Sequence, residues 1–408
     1  MDAGASALAG RRVVLGISGG IAAYKSIEVC RRLVDAGAHV VPLLTAGAQR
    51  FVGLTTFAAL ASERPRTSLF DDADPIPHTR LGQTADVIVV APATARVLGA
   101  YAAGISSDLL TATLLATRAP VVVCPAMHTE MWEHPAVVDN VALLRRRGVH
   151  VVEPETGRLA GGDVGAGRLA DPVAIVAAVE AVLTPQDLKG VRLLVTAGGT
   201  REPIDAVRVI TNRSSGKQGH AIAAEAARRG AAVTLVTTAE ATAARQLGGL
   251  QIEVVPVETA ADMQAAVDTR AGQAEVIVMA AAVADFRPAD PAGRKLKKDE
   301  GVPTVVLEPT PDILGALGAR KPPGQVLVGF AAETDRVAEN AQRKLARKNL
   351  DLIVANDVSA PGVGFDHDTN AVTIFSSGGE VRNVPLAEKA TIARAVLDEV
   401  VACRHRRF

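Results

Sequence analysis

Two glycine-rich stretches hold residues suited to gripping phosphate. The aliphatic run 13–17 leads into Ser18-Gly19-Gly20, and the run 193–195 leads into Gly198-Gly199, a polar loop and then Ser214-Ser215-Gly216-Lys217. In both, an aliphatic strand gives way to small residues and then to an alanine-containing helical stretch. Backbone N–H groups and a helix N-terminus would face an anion there.

The first stretch also fits the G-x-S-x-G nucleophile elbow, from Gly16 to Gly20. That elbow comes several strands into its sheet, whereas Ser18 follows the first strand, so a mononucleotide phosphate is the better occupant. The G-x-G-x-x-G spacing is missing, and no acidic residue is placed for a ribose, which disfavours a dinucleotide. Ser214–219 is not a Walker site either, because Gln218 stands where Ser or Thr must follow Lys217.

Further candidates sit where strands should end. Around the first stretch these are Thr45, then Pro92, Ala93 and Thr94, then Ser107 at the opening of a helix, and Met127 in Pro-Ala-Met-His-Thr-Glu-Met-Trp. His78, in an acidic, proline-stiffened loop, has the context of a proton shuttle. His128 and His134 lack an H-E-x-x-H frame, so zinc is not expected.

Around the second stretch, Met279, Ala280, Ala281 and Asp285 close a strand. Lys295, Lys297 and Lys298 follow, three positive charges that could neutralise a triphosphate. Lys344 and Lys348 are four apart on one helix face and could reach one base or ribose.

These motifs carry a resemblance. The Gly-Ile-Ser-Gly-Gly opening, His78, the His128 segment and the glycine-rich stretch 161–169 are similar to the flavin-dependent cysteine decarboxylases that include phosphopantothenoylcysteine decarboxylase. The second half, from Gly-Gly-Thr-Arg at 198 through Thr-Asn-Arg-Ser-Ser-Gly, resembles the phosphopantothenate–cysteine ligases. Together they imply the bacterial fused decarboxylase–ligase family of coenzyme A biosynthesis. That resemblance implies FMN, with His78 as acid/base, and a trimer with sites between subunits. For the second half it implies a dimer, and hence assemblies up to a dodecamer. It also implies CTP with Mg2+, Asn212 holding an acyl-nucleotide, Lys295 as the catalytic lysine, and Pro311, Asp312, Ile313, Leu314 and Phe330 at the nucleotide.

Two positions depart from the family pattern: His128 stands where Asn is usual, and Gly161 where the flap often has Cys. The histidine can still hydrogen-bond a substrate carboxylate. The missing cysteine leaves unassigned the group that donates a proton when the reduced flavin returns its electrons. Rival readings are a flavin prenyltransferase, which would not carry the second half, a regulatory flavoprotein with an acidic tail, which this sequence lacks, and a plain NAD oxidoreductase.

The elements that must position these residues alternate strand and helix. Aliphatic runs 13–17, 40–44, 87–90 and 121–124 are separated by helical patterns such as 21–36, and 193–195, 233–236, 276–279, 326–328 and 352–354 restart the pattern. This predicts α/β architecture: two doubly wound domains, an N-terminal flavodoxin-like flavoprotein (1–186) and a C-terminal Rossmann-like ligase domain (187–408). The stretch 183–190 reads as a linker, and 372–375 with 381–384 as a hairpin.

The bulk properties agree. A chain of 408 residues exceeds one ordinary core. The first 186 residues hold 16 basic and 17 acidic side chains and the rest 28 and 27, so neither half is a basic body for nucleic acid. The three cysteines are far apart, and no apolar run approaches the ~18 residues of a membrane span. A soluble, cytoplasmic enzyme of small-molecule substrates is expected, with aliphatic cores and the Arg-His-Arg-Arg run at 404–407 as a solvated tail.

Overall fold

The computed structural model describes residues 7–70, 75–247, 250–297, 304–333, 336–357 and 367–406. It divides into two compact units, Met1–Thr184 and Pro185–Phe408, within the stretch read as a linker.

In the first unit, strands β1 (Arg12–Ile17), β2 (His39–Leu44), β3 (Val87–Ala93), β4 (Val121–Pro125) and β5 (His150–Val151) form a parallel sheet in the order β2-β1-β3-β4-β5. This is the flavodoxin order, whose direction of winding reverses between β1 and β3. All seven residues of β3 are buried, as expected of a Val-rich strand covered by helices on both faces. Alternate residues serve separate cores: Val13, Leu15 and Ile17 pack on one face, Val14, Ile88 and Val90 on the other. Each such side chain contributes about 1.5–3 kcal/mol by leaving water. Gly16 keeps the sheet close to its helices, since a Cβ there would lie 2.5 Å from Leu110 Cδ1.

A hairpin of β6 (Glu155–Arg158) and β7 (Val164–Arg168) was not legible in the sequence. Its glycine-rich strand has little β-propensity and is held instead by its neighbours: Met127 N–H donates to Gly167 O at 3.0 Å, and the Thr129 hydroxyl to Ala166 O at 2.8 Å.

In the second unit, β8 (Arg192–Ala197) precedes a short hairpin, β9 (Arg201–Pro203) with β10 (Val209–Thr211). Then come β11 (Ala232–Thr237), β12 (Ile252–Pro256), β13 (Val276–Met279), the pair β14 (Phe286–Pro288) and β15 (Leu307–Pro309), and β16 (Val326–Glu333), β17 (Leu352–Asp357), β18 (Thr369–Ser376) and β19 (Val381–Glu388). The main sheet runs β12-β11-β8-β13-β16-β17-β18-β19, with its last two strands antiparallel. Its winding reverses on either side of β8. Helices Lys217–Arg228 and Lys389–His405 cover one face. Those at Ala260–Ala271, Ile313–Ala319 and Val337–Arg347 cover the other. Gly219 lets the first of these helices approach β8, because a Cβ would lie 2.8 Å from Thr196 O.

The tail expectation fails at its start. Arg404 and His405 complete the last helix, Arg404 lies 3.6 Å from Glu275, and Arg406 pairs with Glu380 at 3.1 Å. An apolar face containing Val396, Val400 and Cys403 carries the helix, and its basic end finds carboxylates. The two short hairpins of this unit also went unread, since three-residue strands leave no periodicity to detect. No helix among the described residues is long and apolar enough to cross a membrane.

Candidate active sites

At the β1/β3 reversal, Ser18 is fully buried and fastens two strand ends together. Its hydroxyl donates to Pro92 O at 2.8 Å and accepts from Thr94 N–H at 3.0 Å. Gly19 runs against Gly47, where a Cβ would come within 2.6 Å of backbone carbon. Above them opens a cavity of about 810 Å3, lined by Gly19, Gly20, Thr45, Thr94 and Met127 among the residues singled out from sequence. Ser18, Pro92 and Ala93 form its buried support. Ser107 is exposed and does not line it; the neighbouring Asp108 caps the next helix and binds Arg96 at 2.8 Å.

The wall includes residues that sequence spacing gave no means of finding: Tyr24, Lys25, Arg158 and Arg168. Lys25 Nζ donates to Leu169 O at 3.0 Å. Burial, then the Arg168 charge, pull its pKa below the usual lysine range. Cations beside small-residue loops and an otherwise largely apolar wall suit a planar ring bearing a phosphate.

His78 lies in the first turn of the helix Pro77–Thr84, not in a loop, because Pro77 is set for a helix start. It is half-buried, its Nδ1 has no hydrogen-bond partner, and it does not line the cavity of its own chain.

His128 precedes the short helix Thr129–Trp132 and sits between carboxylates. Nδ1 bonds Glu130, and Nε2 lies 3.3 Å from Asp163. Glu130, and beyond it Asp163, push the ring's pKa above its ordinary value. A Cβ at Gly161 would lie 3.2 Å from His128 Nε2, so the two positions that depart from the family pattern adjoin.

In the second unit Gly198 takes φ +88° and turns β8 into the hairpin; a Cβ there would lie 2.1 Å from Thr238 Oγ1. Gly199 passes close beneath Asn212, whose backbone oxygen would be 2.7 Å from its Cβ. The Asn212 amide donates to Val283 O at 3.1 Å. A cavity of about 760 Å3 opens on the β13/β16 side. It gathers Asn212, Met279, Ala281 and Asp285 with Pro311, Asp312, Ile313, Leu314, Phe330, Lys344 and Lys348. A narrower space of about 120 Å3 joins Ser214 and the helix start at Lys217 to Ala280. Lys348 Nζ binds Asp312 at 2.6 Å. Burial works against the Asp312 charge, but Lys348 and the Gly315 N–H hold its carboxyl below the usual range.

Lys295 is exposed and lines none of these cavities. The adjacent Leu296 is pinned by its N–H to Asp205 at 3.1 Å and by its carbonyl to Arg208 at 3.1 Å. Lys298 lies outside the described residues. Another cavity, of about 1180 Å3, opens on the β11/β12 side and shares Asn212, Arg213 and Ser214 with the others. No group of three or more metal-ligating side chains converges among the described residues.

A flavodoxin-order sheet with its cavity at the winding reversal, followed along the chain by a Rossmann-like sheet with cavities at its own, is a two-unit α/β architecture whose first unit is flavoprotein-like. Family comparison agrees: the flavoprotein family model matches residues 4–184, and that of the DNA/pantothenate metabolism flavoprotein C-terminal domain matches 188–403. The chain is 49% identical over 406 residues to the coenzyme A biosynthesis bifunctional protein CoaBC of Mycobacterium tuberculosis (strain ATCC 25618 / H37Rv), covering 96% of each. It is 44% identical to that of Escherichia coli (strain K12), covering 97% of each. Among solved structures, the C-terminal domain of a CoaBC aligns at 40% identity over 53% of this chain and 97% of that one, with a TM-score of 0.43. A phosphopantothenoylcysteine decarboxylase mutant complexed with pantothenoylaminoethenethiol aligns at 31% over 42% and 96%, with a TM-score of 0.38.

The chain belongs to the CoaBC family of coenzyme A biosynthesis. It is a bifunctional enzyme, a decarboxylase and a phosphopantothenate–cysteine ligase.

Proposed function

We propose that the second unit joins 4'-phosphopantothenate to cysteine through an acyl-cytidylate, using CTP and Mg2+, and that the first unit decarboxylates the product to 4'-phosphopantetheine with FMN. The observation that carries this reading is the pair of cavities at the two sheet reversals, the first edged by Gly19, Gly20 and Lys25, the second by Asn212, Lys344 and Lys348.

For the ligase, a carboxylate oxygen becomes a leaving group by attacking the α-phosphate of CTP, with pyrophosphate released. Asn212 offers its side chain beside the cavity where that anhydride forms, and Lys344 and Lys348 supply positive charge along the nucleotide. The amine of cysteine then forms the amide bond as the C–O bond to the nucleotide breaks, releasing CMP. Lys295 would supply positive charge to the phosphates, and Mg2+ would enter with the triphosphate.

In the first unit the residues fit FMN: the backbone of Ser18–Gly20 with Lys25 and Arg168 for the phosphate, and the wall near Met127 for the ring. Bound there, the flavin supplies the oxidation that creates a thioaldehyde able to accept the electrons left by CO2 loss, and later returns them. His128 would hold the substrate carboxylate, with Glu130 and then Asp163 favouring the charged form of its ring. His78, unpartnered at Nδ1 and away from the cavity of its own chain, would serve the cavity of a neighbouring copy in a homo-oligomeric, cytoplasmic enzyme with a catalytic trimer in this half.

His78→Asn tests the separation of the two sites. We expect phosphopantothenoylcysteine to accumulate while its synthesis continues at the original rate; equal loss of both reactions would contradict the proposal.

A further inference from the structure

The cavity of about 1180 Å3 beside the ends of β11 and β12 has no part in the reactions as assigned above. We propose that it receives the amino-acid co-substrate of the ligase, with Arg201 recognising the carboxylate and Glu258 the ammonium group, which gives up a proton to solvent before the neutral amine attacks the acyl carbon. The inference rests on the ligase reading and adds to it a site for the second substrate.

Its position is the first reason. Asn212 and Arg213 line both this cavity and the one assigned to the nucleotide, so an amine held on the β11/β12 side faces an acyl-nucleotide held on the β13/β16 side across Asn212. A two-step acyl transfer needs such a shared boundary, because the amine must reach the acyl carbon without displacing the nucleotide first.

Charge is the second. Arg201, Arg213, Glu240 and Glu258 all line the cavity, and none of the four forms an ion pair among the described residues. A wall carrying one sign would repel one end of a zwitterion; this wall offers both.

The scaffold is the third. Arg201 N–H donates to Glu258 O at 2.9 Å, fixing these two residues side by side. Along β9 the next residue, Glu202, turns the other way, is buried, and accepts from Ala260 N–H at 2.8 Å. Strand alternation therefore leaves the Arg201 side chain exposed on the cavity side. Both recognition groups stand on anchored backbone, which limits what ordering them costs when the amino acid binds.

The test uses the full chain and separates the half-reactions. Arg201→Ala and Glu258→Gln should each raise the KM for cysteine about 10- to 100-fold, as loss of a charged hydrogen bond does. Pyrophosphate release from 4'-phosphopantothenate and CTP, measured without cysteine, should stay at the original rate and shows at the same time that the unit is folded. Arg201→Lys and Glu258→Asp should recover part of the loss. An unchanged cysteine KM with intact pyrophosphate release would overturn this assignment alone, and so would a parallel fall in pyrophosphate release. No pyrophosphate release by the unaltered chain would overturn the ligase reading and this proposal with it.

Discussion

The Thr94 backbone N–H donates to the Ser18 hydroxyl at 3.0 Å, across 76 residues of sequence, and one buried oxygen thereby fastens the ends of β1 and β3. The Ser18 O–H in turn donates to Pro92 O at 2.8 Å. The cavity proposed for the flavin is thus built from the strand ends that the topology makes neighbours, with the loops held from behind.

Ser18→Ala should loosen that floor without emptying the core. It leaves the Thr94 N–H without its acceptor, so flavin affinity should fall about 10- to 100-fold. Flavin fluorescence on dilution measures this directly; release identical to that of the unaltered chain would remove Ser18 from the site.

His128 should titrate above the ordinary histidine range, because Glu130 first, and Asp163 next, favour its charged form. A raised pKa means the His128–carboxylate pairing is fully present below the unfolded-state value and is lost as pH rises through the folded one. Ring NMR on labelled histidine should show a larger downward move for Glu130→Gln than for Asp163→Asn. A ring titrating below 6.5, or indifferent to both substitutions, would contradict the placement.

His220 should give the second unit an acid-side weakness. It is fully buried, its Nε2 lies 3.0 Å from Thr237 Oγ1, and burial lowers its pKa from 6.5 to about 4. Between those values the unfolded chain binds a proton that the folded chain does not, so stability falls as pH falls through that window, by up to about 3 kcal/mol. Denaturation of the unaltered chain and of His220→Gln from pH 7 to 4 should show a flatter slope for the variant; equal slopes would rule His220 out as the cause.

How much of this was legible in sequence follows from the range of each interaction. The sheet strands were readable because Val- and Leu-rich runs such as those of β1 and β13 announce burial on both faces. The strand β12 was missed because its residues are half-buried or exposed and no such run appears. Gly19 and Gly20 could be placed at a strand end beside a cavity from sequence because small residues cluster there in a short span. Lys25 and Arg168 could not, since 143 positions separate two residues that only the fold brings to one wall. The Asn212–Val283 bond, which fixes the boundary between the second unit's cavities, spans 71 positions and leaves no local trace.

The central claim is that one chain carries both reactions in succession. The most direct measurement incubates the full chain with 4'-phosphopantothenate, cysteine, CTP and Mg2+, and follows the products by mass. The expected result is 4'-phosphopantetheine with CO2, CMP and pyrophosphate in equal amounts, after transient phosphopantothenoylcysteine. Unchanged substrates, or ligation product that never loses CO2, would contradict it.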